Sequence, residues 1–228
     1  MGHLPIADPL GGYGSSDRPL AMDLHVVDHP IAADRLRILR DATTRSAKFR
    51  RALHQLSLLL MVEATRTLPT EQVEVVTPLQ PAPGRELRVE PLIAPVLRAG
   101  LGMLDAAQLL LPQGHVAMLG FRRDEASLEA ERYLAAIPQD LERRPVFVLD
   151  PMVATGGTVG RALDVVTERN GGPTTVVGVL ASPEGVAAVE AHGGARELVV
   201  ASVDERLNEV GYIVPGLGDA GDRQYGWS

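Results

Sequence analysis

From residue 92 to residue 201 the chain repeats one pattern: a short, mostly apolar run, then a longer amphipathic one. The apolar runs fall at 92–97, 116–119, 146–149, 175–180 and 197–201. Runs of this length suit strands better than helices. Strands apolar on both faces must be covered on both, which happens when crossover helices join parallel strands. The intervening stretches carry helical signals at 101–111, 159–169 and 183–191, the last with Ser182 as N-cap and Pro183 at its first position. The fold expected is therefore α/β: a mostly parallel sheet flanked by helices.

The remaining stretches fit around that frame. Residues 24–27 read as a first strand, and 44–65 as a long helix with Phe49, Leu53, Leu56, Leu60 and Ala64 on one face. That face is expected to meet the core or another subunit, and His54 beside it to be structural. Alternating valines and several prolines over 73–88 suggest a peripheral β-hairpin. Residues 1–21 are rich in Gly, Pro and Ser without an apolar period, so they are expected to be a disordered extension or a non-native leader, with Met22 as an alternative start. The expected organisation is one domain over 22–228.

Composition removes several classes of function. A net charge of -7 disfavours general nucleic-acid binding, which needs a basic surface. The absence of Cys excludes disulfides, thiolate catalysis and Cys-ligated zinc. The only lysine is Lys48, whose neighbours fit neither a Schiff-base site nor a lysine-containing phosphate loop, so arginine must serve any phosphate. The longest near-continuous apolar run, 56–62, is too short to span a bilayer, and no secretion signal is seen, so a cytoplasmic location is expected.

Chemistry concentrates in three segments. In the first, the apolar run 146–149 ends in Asp150 and passes through Pro151, Met152, Val153 and Ala154 into Thr155-Gly156-Gly157-Thr158, where a helix follows. N–H groups at such a helix start, and the positive end of its dipole, suit a phosphate. The carboxylate before the loop suits ribose hydroxyls or a metal ion. The second segment is Leu97-Arg98-Ala99-Gly100-Leu101-Gly102, at the end of the strand 92–97. Ligands of open α/β sheets bind beyond the carboxyl ends of strands, which places Arg98 at the site. Gly100 and Gly102 are expected to let backbone N–H groups approach an anion. They also resemble a dinucleotide fingerprint, but Asp105 stands where the third glycine belongs, and Leu119-Gly120-Phe121-Arg122 replaces the expected acidic strand end. The third segment runs from Asp204 to Asp222 and contains Gly211-Tyr212-Ile213-Val214-Pro215-Gly216-Leu217-Gly218-Asp219-Ala220-Gly221-Asp222. It is expected to form a rigid backbone cage whose fixed N–H and C=O groups match one polar ligand edge and reject another.

Together these segments resemble the uracil phosphoribosyltransferases, a branch of the type I phosphoribosyltransferase superfamily. Pro151 stands where most of that superfamily has a second acid, which is similar to the uracil branch. The resemblance spans about 24–226 and implies conversion of uracil and phosphoribosyl pyrophosphate to uridine monophosphate and diphosphate. It assigns phosphoribosyl pyrophosphate to Arg98, Arg123, the whole stretch Asp150 to Thr158, and Asp219. Uracil goes to Ile213, Gly218, Asp219 and Ala220. Arg98, Arg123, Asp150 and Asp219 are then the catalytic candidates. Arg123 would sit on a mobile loop within 120–133, with a further arginine, Arg122, beside it and without the prolines many members carry there. The resemblance also implies a small hood over the sheet, Mg2+ carried by the substrate rather than by a protein metal site, homo-oligomers and, in some members, activation by GTP. The rival readings are an RNA-binding pyrimidine regulator on the same fold and a nicotinamide-dependent oxidoreductase.

Overall fold

The computed structural model describes residues 21–123 and 130–226; side chains are described for neither Arg123 nor residues 130 and 131. The stretch 1–20 of the expected leader and positions 124–129 of the charged segment therefore lie outside the described residues.

The chain opens with β1 (Asp23–Val26), α1 (Pro30–Arg40) and α2 (Ser46–Ala64), followed by a hairpin of β2 (Thr70–Val76) and β3 (Pro81–Leu87). Next come β4 (Leu92–Leu97), α3 (Leu101–Leu110), β5 (His115–Val116), β6 (Met118–Arg123) and β7 (Ala130–Ala136). The second half runs β8 (Val146–Leu149), β9 (Met152–Val153), α4 (Gly157–Glu168), β10 (Thr174–Val177), β11 (Leu180–Ala181) and α5 (Pro183–His192). It ends with β12 (Glu197–Val200), β13 (Ser202–Val203), β14 (Arg206–Leu207), β15 (Ile213–Val214) and α6 (Ala220–Tyr225).

The main sheet has the order β1-β12-β10-β8-β4-β6-β7, with β5 beside β4. Its pairings are parallel, except that β6 and β7 are antiparallel. Both faces are covered, as the apolar strands require. Phe147 and Leu149 of β8 join Phe49, Leu53, Leu56 and Leu60 of α2 in one core cluster, while Val146 and Val148 join Val159, Leu163 and Val166 of α4 in another. That alternation is the two-residue period of a strand. The leucine face of α2 is buried within its own chain, so of the two expected roles it is core. The Val73 to Arg88 stretch forms the expected exposed hairpin, pairing Thr70 through Val76 with Leu87 through Pro81.

Three expectations need correction. The run at 175–180 is not a single strand: β10 ends at Val177 and the chain resumes as β11, while the run at 197–201 is the single strand β12, with β13 following it. At the break the N–H groups of Val179 and Leu180 both donate to Pro151 C=O at 3.0 Å, so the chain steps sideways. With β9 these short strands form a second parallel sheet, β13-β11-β9, at the carboxyl ends of the first. The charged segment after Gly120 is not all loop, because β6 continues to Arg123 and returns as β7, with a register shift between Gly120 and Phe121. Finally, α1 was not foreseen; it starts at Pro30, where His29 Nδ1 accepts a hydrogen bond from Ile31 N–H at 3.1 Å.

Candidate active site

Three cavities open at the carboxyl ends of β4 and β8 and share walls. The first, about 140 Å³, is lined by Asp150, Met152, Thr155, Gly156, Thr158 and Gly211. A second of about 260 Å³ is lined by Arg98, Phe121, Asp150, Met152, Thr158 and Asp219. The third, also about 260 Å³, lies among Ala99, Met152, Tyr212, Ile213, Gly218, Asp219 and Ala220. Met152 borders all three, Asp150 joins the first two, and Asp219 joins the last two. The sequence candidates Arg98, Asp150, Asp219, Ile213, Gly218, Ala220 and the Thr155 to Thr158 loop are thus brought together. Arg123 ends β6, and its side chain lies outside the described residues.

Asp150 follows β8 directly and is 8% exposed. Burial pushes its carboxyl up to about 7, opposed by a hydrogen bond from Met152 N–H at 3.3 Å. Beyond it the chain turns at Gly156, whose φ of 76° is left-handed and favours glycine. This residue caps α4, so the first-turn N–H groups of a twelve-residue helix face the loop. The loop is braced from below by α5. Ser182 Oγ donates to Ala154 C=O at 2.7 Å and accepts from Gly185 N–H at 2.9 Å. A Cβ at Gly185 would overlap the carbonyl oxygens of Val153 and Ala154.

Arg98 follows β4 across a cis Leu97–Arg98 peptide bond. Its guanidinium lies 3.5 Å from Asp222 Oδ1, and its carbonyl accepts from Tyr225 Oη at 3.4 Å. The glycines after it do not act as expected. Gly100 N–H donates to Val96 C=O at 2.8 Å and Gly102 N–H to Ala99 C=O at 3.2 Å. They are glycines because a Cβ at Gly100 would overlap Leu149 C=O, and one at Gly102 would overlap the buried Gln224 side chain. Their N–H groups are therefore not free for an anion, which also removes the basis of the dinucleotide reading.

The third segment forms a hood from β14, β15 and α6. Ile213 pairs with Leu207 across the hairpin, and the Val214–Pro215 bond is cis. Gly216 and Gly218 have φ of 64° and 80°. Asp219 caps α6 by accepting from Asp222 N–H at 2.8 Å. Sequence reasoning missed what holds this hood in place. Asp204, buried beside β13, pairs with Arg40 of α1 at 2.6 Å and accepts from Gly216 N–H at 2.9 Å. Burial acts to raise its carboxyl, but the Arg40 hydrogen bond, the Gly216 N–H, the Arg40 charge and Ser202 together hold it below the usual carboxylate range. Arg223 of α6 donates to the carbonyls of Leu39 and Leu217, the latter at 2.8 Å, and stacks 4.6 Å from the Phe49 ring centroid. The local signal was only an acid and an arginine, in stretches far apart.

Among the described residues no group of three or more carboxylates or imidazoles converges to hold a metal ion. Asp150 and Asp219 border the same cavity as Arg98, and such a pair fits a cation that arrives with most of its ligands on an anionic substrate.

The model of a family described as uracil phosphoribosyltransferase matches residues 26–226. A uracil phosphoribosyltransferase of Streptomyces avermitilis is 53% identical over 90% of this chain and 99% of its own length. One from a Nocardioides species is 49% identical, with the same coverage of both chains. Among solved structures, the AQ2163 protein of Aquifex aeolicus superposes with a TM-score of 0.85 at 36% identity, over 90% of this chain and 99% of that one.

Proposed function

Since the chain belongs to the uracil phosphoribosyltransferase family and is an enzyme of that activity, we propose that the three joined cavities divide its two substrates between them. The reaction joins uracil to phosphoribosyl pyrophosphate, giving uridine monophosphate and diphosphate. In this reading the cavity at Thr155 to Thr158 takes the 5′-phosphate, on the N–H groups of α4. The cavity at Arg98 takes the diphosphate, and that between Ile213 and Ala220 takes uracil. The continuity of the three cavities around Met152 carries the assignment, because a base and an activated sugar must meet at one atom.

Uracil N1 attacks ribose C1 as the diphosphate leaves, so positive charge develops on the sugar and negative charge on the leaving group. Arg98 is placed to take up the negative charge, with Arg123 as its partner from β6. Asp150 holds the ribose hydroxyls, and Pro151, Met152, Val153 and Ala154 shape the loop that carries them. Main-chain groups of Ile213, Gly218 and Ala220 read the base edge. Asp219, between the base and diphosphate cavities, orients the sugar or accepts the N1 proton. Mg2+ belongs to this reading as a companion of the diphosphate, near Asp150 and Asp219, where it would neutralise phosphate charge.

Neither the RNA-binding nor the oxidoreductase reading is favoured by any observation of the site. Homo-oligomer formation and activation by GTP remain part of the proposal. The first is supported by Val76 and Leu79 on the β2–β3 hairpin, 86% and 96% exposed. Among the described residues no helix is long and apolar enough to cross a membrane. The test is diphosphate release with phosphoribosyl pyrophosphate, Mg2+ and each of several bases, with and without GTP. Release that needs uracil is expected; equal rates with guanine or hypoxanthine would overturn the base assignment.

A further inference from the structure

Gly216 stands two residues before Gly218, and both its backbone polar groups are held by one ion pair. Asp204 Oδ2 accepts its N–H at 2.9 Å, and Arg40 Nη1 donates to its C=O at 2.9 Å. The two side chains also meet each other twice, at 2.7 and 2.6 Å, in a bidentate pair. The Asp204 side chain is 2% exposed and that of Arg40 26% exposed. Ser202 Oγ donates a further hydrogen bond to Asp204 at 3.1 Å. This is more than a surface ion pair provides, and its geometry is directed at one peptide unit. The left-handed φ of Gly216 means no other residue type would sit there without strain, so the backbone route through this point is narrow.

We propose that Arg40 and Asp204 are positioning residues for uracil: the pair fixes Gly216 and thereby sets the main-chain groups of the base cavity. The proposal rests on assigning uracil to the cavity at Ile213 to Ala220. Neither residue borders any of the three cavities, so the pair acts through the backbone at Gly216; Gly218, two residues on, lines the base cavity and neither of the other two. Main-chain recognition makes such a device necessary, because a backbone N–H can be aimed only by fixing the backbone. A tilt of this segment would leave an uracil oxygen without its donor and lessen the disadvantage of cytosine.

The experiment is steady-state kinetics with uracil and phosphoribosyl pyrophosphate varied separately, on Asp204→Ala, Asp204→Asn and Arg40→Lys. Asp204→Ala removes the acceptor of Gly216 N–H and strands the Arg40 charge. Its KM for uracil should rise by about tenfold to a hundredfold, while its KM for phosphoribosyl pyrophosphate stays within about twofold. Asp204→Asn keeps an acceptor for Gly216 N–H but turns its NH2 toward the Arg40 and Ser202 donors, so it should recover only part of the uracil affinity lost in the alanine variant. If the alanine variant does not fold, Arg40→Lys decides. Lysine keeps the charge but cannot serve Asp204 and Gly216 as a fork, so uracil KM should rise several-fold, again alone. Equal effects on both substrates, or a fall in kcat with both KM values unchanged, would overturn the proposal. Failure of the unaltered chain to release diphosphate with uracil would instead overturn the assigned reaction.

Discussion

A buried carboxyl that titrates near neutrality makes Asp150 the residue whose behaviour depends most on pH. Its ordinary value is 3.8, and burial takes it to about 7 in the folded chain. Between those values the folded state keeps a proton that the unfolded state has lost. Raising the pH through that window therefore lowers stability, by up to about 4 kcal/mol, and above it the loss is complete. Asp150→Asn cannot ionise, so it should melt several degrees higher than the unaltered chain at pH 8. The gap should open between about pH 4 and 7, and thermal unfolding without ligand would measure it. The same substitution should reduce turnover by about a hundredfold, since it removes the charge proposed to hold the ribose in position. In the unaltered chain, kcat/KM for phosphoribosyl pyrophosphate should decline as the pH falls below about 7, and the asparagine variant should lack that limb. A variant both more stable and less active would mark the carboxylate as retained for chemistry at a cost to the fold.

Among the elements, α5 does more for the site than its sequence suggests. Ser182 and Pro183 announce its start, but Gly185 in its first turn looks only like a weakness in a helix. Its reason is the close approach of the Val153 and Ala154 carbonyls, a contact between segments that no local pattern reveals. Gly185→Ala should push the phosphate loop outward, lower stability by about 1–3 kcal/mol and raise KM for phosphoribosyl pyrophosphate about tenfold, with KM for uracil changed less. Kinetics beside a thermal melt would test this; equal KM changes would refute it. Local pattern was sufficient for β4, β8, α3, α4 and α5, whose apolar periods are clear. It failed for α1, where arginines and aspartate interrupt the buried Ala32, Leu36, Ile38 and Leu39, and for β7, whose charged residues read as loop. It also failed where β10 breaks before β11, because the acceptor that takes the Val179 and Leu180 N–H groups, Pro151 C=O, comes from the turn between β8 and β9.

For the whole molecule, the parallel sheet explains why three separate motifs could be read as one site. Segments ending β4 and β8 must open at the same edge, so Arg98 and Asp150 are neighbours once the topology is known. What stayed unreadable was the long-range tie of Arg40 to Asp204 and Gly216, which local spacing does not encode. The exposed β2–β3 hairpin is the feature at this scale that bears on assembly. Val76→Asp together with Leu79→Asp should lower the mass found by sedimentation if the hairpin joins protomers; an unchanged mass would remove it from the interface. The hood has a different consequence. Ile213, Gly218, Asp219, Ala220 and most other walls of the base cavity come from one continuous stretch, 210–221, while the phosphate loop lies wholly before residue 160. If that cavity takes the base as proposed, base preference rides on a short cassette fastened by a side chain from α1. Under that assignment, a graft limited to 212–218, which leaves Gly211 and Asp219 in the cavities assigned to the sugar-phosphate and keeps a compatible residue at position 40, could change the letter this enzyme reads without rewriting its handling of the sugar.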